Sequence, residues 1–339
     1  MSRLLILLRT ALFSVLGALF FQLLHIPMAW LLGPLFITML LRFTTKIDIT
    51  WSKYLRNLGL VLAGYSIGLA FTIDALSDML GYLPAMIIMN VFYVVLFLGI
   101  SQLIVIRTKV DHLAALTSTV PGGMTQVLAY AAEKGSRHLT MITFYQVLRV
   151  LCILSFVPLI VSTGQAPTEP LNTGYSLHLI LFILITYVVG YAANQLKVPT
   201  GYMLGPVLLL IGLQIVGLEI PLLPSSALQI AQLLIGTFIG MLLKKEDLHL
   251  SRKIIFYGFV SSILYIGSTL GIALLLIKLY PLDFKTAFLS VVPGGLDQMG
   301  LIAASVGADV TIVTAFQLFR VLIVSILIIP SLKLLINRK

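Results

Sequence analysis

The chain has 339 residues, of which 59% are hydrophobic and only 10% are charged, and its formal net charge at pH 7 is +10. Soluble domains carry roughly a quarter charged residues, so this composition excludes an ordinary soluble enzyme or binding module. The excess of positive charge does not indicate nucleic-acid binding, because the 22 lysines and arginines lie mostly in short loops between apolar runs, where they orient membrane proteins.

Apolar runs follow one another along the whole chain. Runs near 20 residues match a bilayer core of about 30 Å at 1.5 Å per residue. Residues 1–24 resemble a signal peptide, but they lack a small-residue cleavage site and have a counterpart segment later in the chain, so we expect a first membrane helix. The pattern predicts an all-α polytopic membrane protein. The predicted segments lie near 4–24, 28–42, 55–72, 82–106, 112–132, 139–162, 175–196, 200–217, 226–243, 254–277, 285–305 and 310–332.

A duplication divides these segments into two membrane repeats, residues 1–165 (the first half) and 174–339 (the second half). Chance does not keep one register over so long a stretch, and such self-similarity is the signature of a repeated architecture. The matching stretches keep one constant offset, which a single deletion shortens before the last of them: 25–34 with 197–206, 64–68 with 236–240, 120–126 with 292–298, and 145–150 with 316–321.

The fifth segment of each half is interrupted by Pro-Gly-Gly, which disfavours a continuous helix. It could be a broken helix that crosses the membrane or a re-entrant hairpin. If both are re-entrant, the second half is inverted, and only Lys278 and Lys285 of the loop cations fall outside. Since cytoplasmic loops are rich in Lys and Arg, this arrangement is favoured. We expect two inverted-topology repeats, each with five transmembrane helices and one re-entrant hairpin, and both termini in the cytoplasm.

The interrupted segments are the first candidate site. In many secondary transporters, broken helices near the midplane present backbone groups and helix ends to a solute or ion. Polar residues directly follow both interruptions, although the prolines and glycines could also serve only close packing. The candidate residues are Pro121, Gly122, Gly123, Thr125 and Gln126 in the first half, and Pro293, Gly294, Gly295, Asp297 and Gln298 in the second.

Arg149 and Arg320 each lie about ten residues inside an apolar segment, hence roughly 15 Å deep. A charge at that depth costs at least about 2.5 kcal/mol, so it normally faces a partner or a cavity. Gln146 and Gln317 lie three residues earlier on the same helical faces. The arginines could bind the carbonyls of the re-entrant segment, or form a cationic fork for an anionic solute. Both roles stay open.

Asp297 is the only acid predicted at the midplane, and Thr125 is its counterpart in the first half. A buried carboxylate could carry a coupling proton or bind Na⁺, or it could pair with Arg149 or Arg320. Two positive groups and one negative group leave room for one anion. The charge count therefore favours a carboxylate-like solute.

At the paired Val-Pro-Gly-Gly-x-x-Gln and Gln-x-x-Arg motifs, and at the two Leu-Gly-Pro segments, the chain resembles the bacterial membrane AbrB duplication family over essentially its full length. The resemblance implies a polytopic protein of the bacterial cytoplasmic membrane. Members are called regulators of gene expression or ammonia monooxygenases. Five dispersed histidines do not suit a copper monooxygenase, and no stretch is long enough for a DNA-binding module.

The sequence therefore predicts a secondary transporter of a small anionic solute, with coupling to H⁺ or Na⁺ left open. A membrane sensor that acts indirectly on gene expression and a passive channel are the alternatives. We expect no enzymatic activity, no cofactor or metal, and no direct contact with nucleic acid. The expected partners are the solute and membrane lipid, and a homo-oligomer is left open.

Overall fold

Helices and the loops between them make up the described part of the chain, with no strand among those residues. The computed structural model describes residues 3–45, 47–71, 79–121, 124–162, 176–198, 200–243, 250–328 and 330–331. The helices are α1 Arg3–Leu23, α2 Ala29–Thr44, α3 Lys53–Ala70, α4 Leu83–Thr108, α5 His112–Thr119, α6 Met124–Glu133, α7 Leu139–Val161, α8 Leu177–Gln195, α9 Gly201–Ile215, α10 Ser225–Gly240, α11 Arg252–Leu279, α12 Phe284–Val291, α13 Leu296–Val306 and α14 Val310–Ile323, which continues as a π-helical turn over Val324–Ile328.

Six helices of the described ranges are long and apolar enough to cross a membrane: α1, α4, α7, α8, α11, and α14 with its π-helical turn. Shorter apolar helices, among them α2, α9 and α10, lie between them. This architecture confirms the predicted all-α polytopic membrane protein. The ten crossings, the inversion of the second half and the cytoplasmic position of the termini stay predictions.

The chain folds into two compact units, and each unit takes helices from both halves of the sequence. The first unit contains Met1–Asp78, Val157–Lys244 and Gly300–Thr311. The second contains Met79–Phe156, Lys245–Met299 and Ile312–Lys339, and therefore holds both Pro-Gly-Gly interruptions. The division into repeats 1–165 and 174–339 concerns the sequence and stays a prediction.

Within the first unit, helices from the two halves pack closely at glycines. A Cβ atom on Gly64 of α3 would collide with the backbone of Met203 in α9, and one on Gly236 of α10 would collide with the backbone of Leu31 in α2. Gly64 and Gly236 occupy equivalent positions of the two halves, as do Leu31 and Met203, so the contact is reciprocal. These glycines therefore serve close helix packing.

The backbone repeats rare conformations at equivalent positions of the two halves. His25 and Met28, in the turn between α1 and α2, have φ values of 54°. Lys197 and Thr200, between α8 and α9, have φ values of 60° and 49°. A non-glycine residue with positive φ is uncommon, so two such pairs in the same register mean that both turns follow the same path.

Candidate functional site

Both predicted interruptions are present in the second unit. The helix α5 ends at Thr119 and α6 begins at Met124, while α12 ends at Val291 and α13 begins at Leu296. The helices α5 and α12 have eight residues each, hence a rise of about 12 Å at 1.5 Å per residue. A helix of this length is too short to cross a bilayer core of about 30 Å.

Aspartates fix the start of the two short helices. Asp111 accepts a hydrogen bond of 2.6 Å from the backbone N–H of Ala114, and Asp283 accepts one of 3.1 Å from that of Lys285. Asp111 and Asp283 are counterparts in the two halves, and each is an N-cap of the preferred residue type. The start of each short helix is therefore set by its own sequence.

The proline of each interruption, Pro121 or Pro293, is buried. Each proline lies two residues beyond the end of its short helix, where it cannot continue the helical hydrogen bonds. Four predicted site residues lie outside the described residues or have side chains outside them: Gly122, Gly123, Thr125 and Gln126.

The second interruption shows why glycine is needed. Gly295 has a φ of +100°, which residues with a side chain rarely adopt. A Cβ on Gly294 would lie 2.9 Å from the side chain of Ile153 in α7. Asp297 and Gln298, both partly buried, lie in the first turn of α13, and the Gln298 amide donates a hydrogen bond of 3.0 Å to the Asp297 carboxylate. A carboxylate in the first turn of a helix is favoured by the helix dipole.

The first interruption is held by Gln146 and Arg149 of α7. The end of a helix leaves carbonyl groups without intrahelical partners. Gln146 Nε2 donates to the carbonyl oxygens of Thr117 at 2.9 Å and Val120 at 3.1 Å. Arg149 Nη1 donates to Val120 at 3.2 Å and, more weakly, to Thr119 at 3.4 Å, while Nη2 donates to Gln146 Oε1 at 2.8 Å. The two side chains together satisfy the helix end.

The second interruption has the same network at the equivalent positions. Gln317 Nε2 donates to the carbonyl oxygens of Leu289 at 2.8 Å and Val292 at 2.9 Å. Arg320 Nη1 donates to Val292 at 3.0 Å, and Nη2 donates to Gln317 Oε1. Both arginines therefore bind the carbonyls of their own interrupted segment, one of the two roles that the sequence left open.

Two tyrosines that sequence reasoning missed complete the network. Tyr265 in α11 donates a hydrogen bond of 2.5 Å to the carbonyl of Thr119, and Tyr93 in α4 donates one to the carbonyl of Val291. Each hydroxyl therefore comes from the half opposite to the carbonyl it binds. Donors and acceptors are again counterparts in the two halves, and tyrosines at the same register of two apolar segments were the signal that could have revealed them.

No carboxylate in the described part of the chain forms an ion pair with either arginine. Arg149 is 5% exposed and Arg320 is 2% exposed. Among the described residues, the structure shows no carboxylate within 4.0 Å of either guanidinium group. Within the described ranges, the buried Nε atoms of both arginines have no hydrogen-bond partner. The site is thus a buried, positively charged region with two N–H donors for which the described residues provide no acceptor.

Comparison with protein-family models identifies one family. The family model described as "Transition state regulatory protein AbrB" matches residues 30–336. A Bacillus subtilis (strain 168) protein named "Uncharacterized protein YhjN" is 24% identical over 350 residues, which cover 95% of this chain and 91% of that protein. The Escherichia coli (strain K12) "Putative regulator AbrB" is 30% identical over 210 residues, 59% of each chain. No solved structure matches the chain.

Proposed function

The chain belongs to the AbrB family, and we propose that it is a secondary transporter of a small carboxylate-like anion, which binds at Arg149 and Arg320. The family and the apolar helices establish a membrane protein. The transport role, the solute and the coupling are our proposal. Its basis is the charge and the geometry of the second unit.

One observation carries the proposal: two buried guanidinium groups without a carboxylate partner among the described residues. A buried charge is costly unless it is paired and hydrogen-bonded. Carbonyl groups satisfy part of each guanidinium, but they do not cancel its charge. A bound anion would supply the missing negative charge and would accept hydrogen bonds from the Nε–H groups of the two arginines.

The interrupted helices support transport. Irregular backbone at membrane depth is tolerated only inside protein or beside a water-filled cavity. Interrupted helices of this kind form midplane solute sites in many secondary transporters. In this proposal Arg149 and Arg320 bind the anion, Gln146 and Gln317 orient them, and Asp297 carries the coupling H⁺ or Na⁺.

A membrane regulator is the second candidate, because the family description and the name of the Escherichia coli relative both refer to regulation. A regulator would bind an anion at the same arginines and change its contacts with a partner protein, without solute flux. Binding is common to both candidates, whereas flux distinguishes them.

Uptake into proteoliposomes tests the proposal. We expect acetate, succinate or benzoate to raise the unfolding temperature of the purified protein, because a ligand that binds only the folded state stabilises it, by about 2.7 kcal/mol at 100 times Kd. The same radiolabelled anion should then enter proteoliposomes with saturable kinetics, driven by a Na⁺ or pH gradient. Flux without saturation would indicate a channel, binding without flux a regulator, and neither binding nor flux would contradict the anion site.

A further inference from the structure

We propose that Tyr93 and Tyr265 are positioning residues, each of which holds the interrupted segment of the opposite half so that the arginine there remains free to bind the anion. The inference rests on the proposed function, because it assigns the tyrosines a role in anion affinity. It adds to that function two residues from helices α4 and α11, which contain neither of the two site arginines and neither interruption.

Each tyrosine hydroxyl binds the last carbonyl of the short helix that precedes an interruption. The oxygen of Thr119 is the last carbonyl of α5, and that of Val291 is the last of α12. Tyr265 binds the former at 2.5 Å, well inside the 3.4 Å that separates the same oxygen from Arg149 Nη1. The tyrosine is therefore the main donor of the two, and the arginine is only weakly engaged there.

Each tyrosine also lies beside the arginine of the segment that it holds. The guanidinium carbon of Arg149 lies 5.6 Å from the ring centre of Tyr265, within the range of a cation–π interaction. At the second interruption, Tyr93 donates to the carbonyl of Val291 and Arg320 donates to that of the next residue, Val292. Both tyrosines are almost fully buried, with 2% and 1% of their surface exposed for Tyr93 and Tyr265. Hydroxyl, carbonyl and guanidinium thus form one contiguous group at each interruption.

Removal of the tyrosine hydroxyl should make the carbonyl that it binds compete with the solute for the N–H groups of the arginine. A buried carbonyl without a donor is costly, so it will recruit the nearest available N–H group. At Thr119 that group belongs to Arg149, whose Nη1 is already 3.4 Å away. The arginine would turn towards the carbonyl and present fewer donors to the anion. A tyrosine-to-phenylalanine change should therefore weaken anion binding although every charge is retained.

Cys152 provides a reporter for this region. It is the one cysteine of the chain, and it is 7% exposed in α7, one turn after Arg149. Its thiol interacts with Ser262, which lies one turn before Tyr265 in α11. The next residue, Ile153, lies so close to Gly294 of the second interruption that a Cβ there would be 2.9 Å from its side chain. Alkylation of Cys152 by N-ethylmaleimide therefore requires this region to open.

The test compares Tyr265→Phe and Tyr93→Phe with Tyr145→Phe. Tyr145 is also buried, and its hydroxyl donates to the carbonyl of Ile254 at 2.9 Å, so it joins α7 to α11 away from the interruptions. We expect N-ethylmaleimide to label Cys152 about tenfold faster in Tyr265→Phe and Tyr93→Phe, as loss of one buried hydrogen bond implies, and no more than about twofold faster in Tyr145→Phe. Equal labelling rates in all three variants would overturn the inference.

Protection of Cys152 from alkylation by sodium succinate, sodium acetate or sodium benzoate shows whether the tyrosines position the arginines or only stabilise the fold. We expect one of these salts to slow the labelling of Cys152 in the native protein. The salt concentration that gives half protection should rise about tenfold in Tyr265→Phe and Tyr93→Phe only, because a charge-assisted hydrogen bond to the anion is weakened. An unchanged half-protecting concentration in both would mean that the tyrosines only stabilise the fold, which overturns the inference. If none of the salts protects the native protein, the proposed function fails, while the labelling rates still decide whether the tyrosines hold the interruptions.

Discussion

Replacement of Arg149 or Arg320 by alanine should raise the Kd for the stabilising carboxylate by about 100-fold, because a charge-assisted hydrogen bond contributes about 1.5–3 kcal/mol. Lysine at either position should give an intermediate loss, since it retains the charge but cannot present the planar fork of arginine. Isothermal titration calorimetry on the purified variants measures both effects.

Arg42→Ala is the matched control for this comparison. Arg42 Nη1 also donates to a main-chain carbonyl at a helix end, that of Met241 at 2.6 Å, but it belongs to the first unit. Its removal should leave the Kd unchanged. If Arg42→Ala weakens binding as much as the other two variants, or if both of them bind as tightly as the native protein, the arginines are not part of the anion site.

Gln317→Leu should lower the free energy of unfolding by about 3 kcal/mol or more, because each buried polar group left unsatisfied in an apolar medium costs several kcal/mol. Its amide serves the carbonyls of Leu289 and Val292, and its oxygen accepts from Arg320. Leucine fills a similar volume but leaves these groups without that partner. Unfolding in mixed detergent micelles, followed by circular dichroism, measures the change.

The matched control is another buried glutamine. Gln232 is 5% exposed, and its amide donates to the hydroxyl of Ser305 at 2.8 Å in the first unit. Gln232→Leu removes that bond to a side chain, so we expect a loss of only about 1 kcal/mol. Similar losses of unfolding free energy for Gln232→Leu and Gln317→Leu would show that the network at the second interruption stabilises the protein no more than an ordinary buried hydrogen bond.

The hydropathy of the sequence predicted the positions of the long helices well. It did not predict the exact first and last residues of a helix where a capping side chain determines them. The segment predicted at 139–162 is Leu139–Val161 in the structure. The segment predicted at 254–277 extends over Arg252–Leu279, because the hydroxyl of Ser251 caps the helix before the apolar run begins. The grouping into two compact units could not be predicted, since it depends on packing between helices far apart in sequence.

The sequence predicted the parts of the candidate site that are local motifs, and it did not predict the contacts between distant segments. The Gln-x-x-Arg spacing and the Pro-Gly-Gly motifs are local, so the sequence indicated both the polar faces and the interruptions. The acceptors that Tyr93 and Tyr265 bind are main-chain carbonyls of Val291 and Thr119, and a carbonyl has no sequence signature. The sequence also left open whether Arg149 binds carbonyls or an anion. The structure shows the carbonyl contacts, and it shows no partner for the Nε of Arg149 among the described residues.

Anomalous diffraction from crystals soaked in sodium bromide tests the central claim most directly, because bromide is a compact anion whose position can be located without a chosen solute. The account predicts a bromide peak within hydrogen-bond reach of Nε of Arg149 or Arg320, and its loss in Arg149→Ala with Arg320→Ala. Bromide peaks confined to loops and helix ends, with none at either guanidinium group, would contradict it.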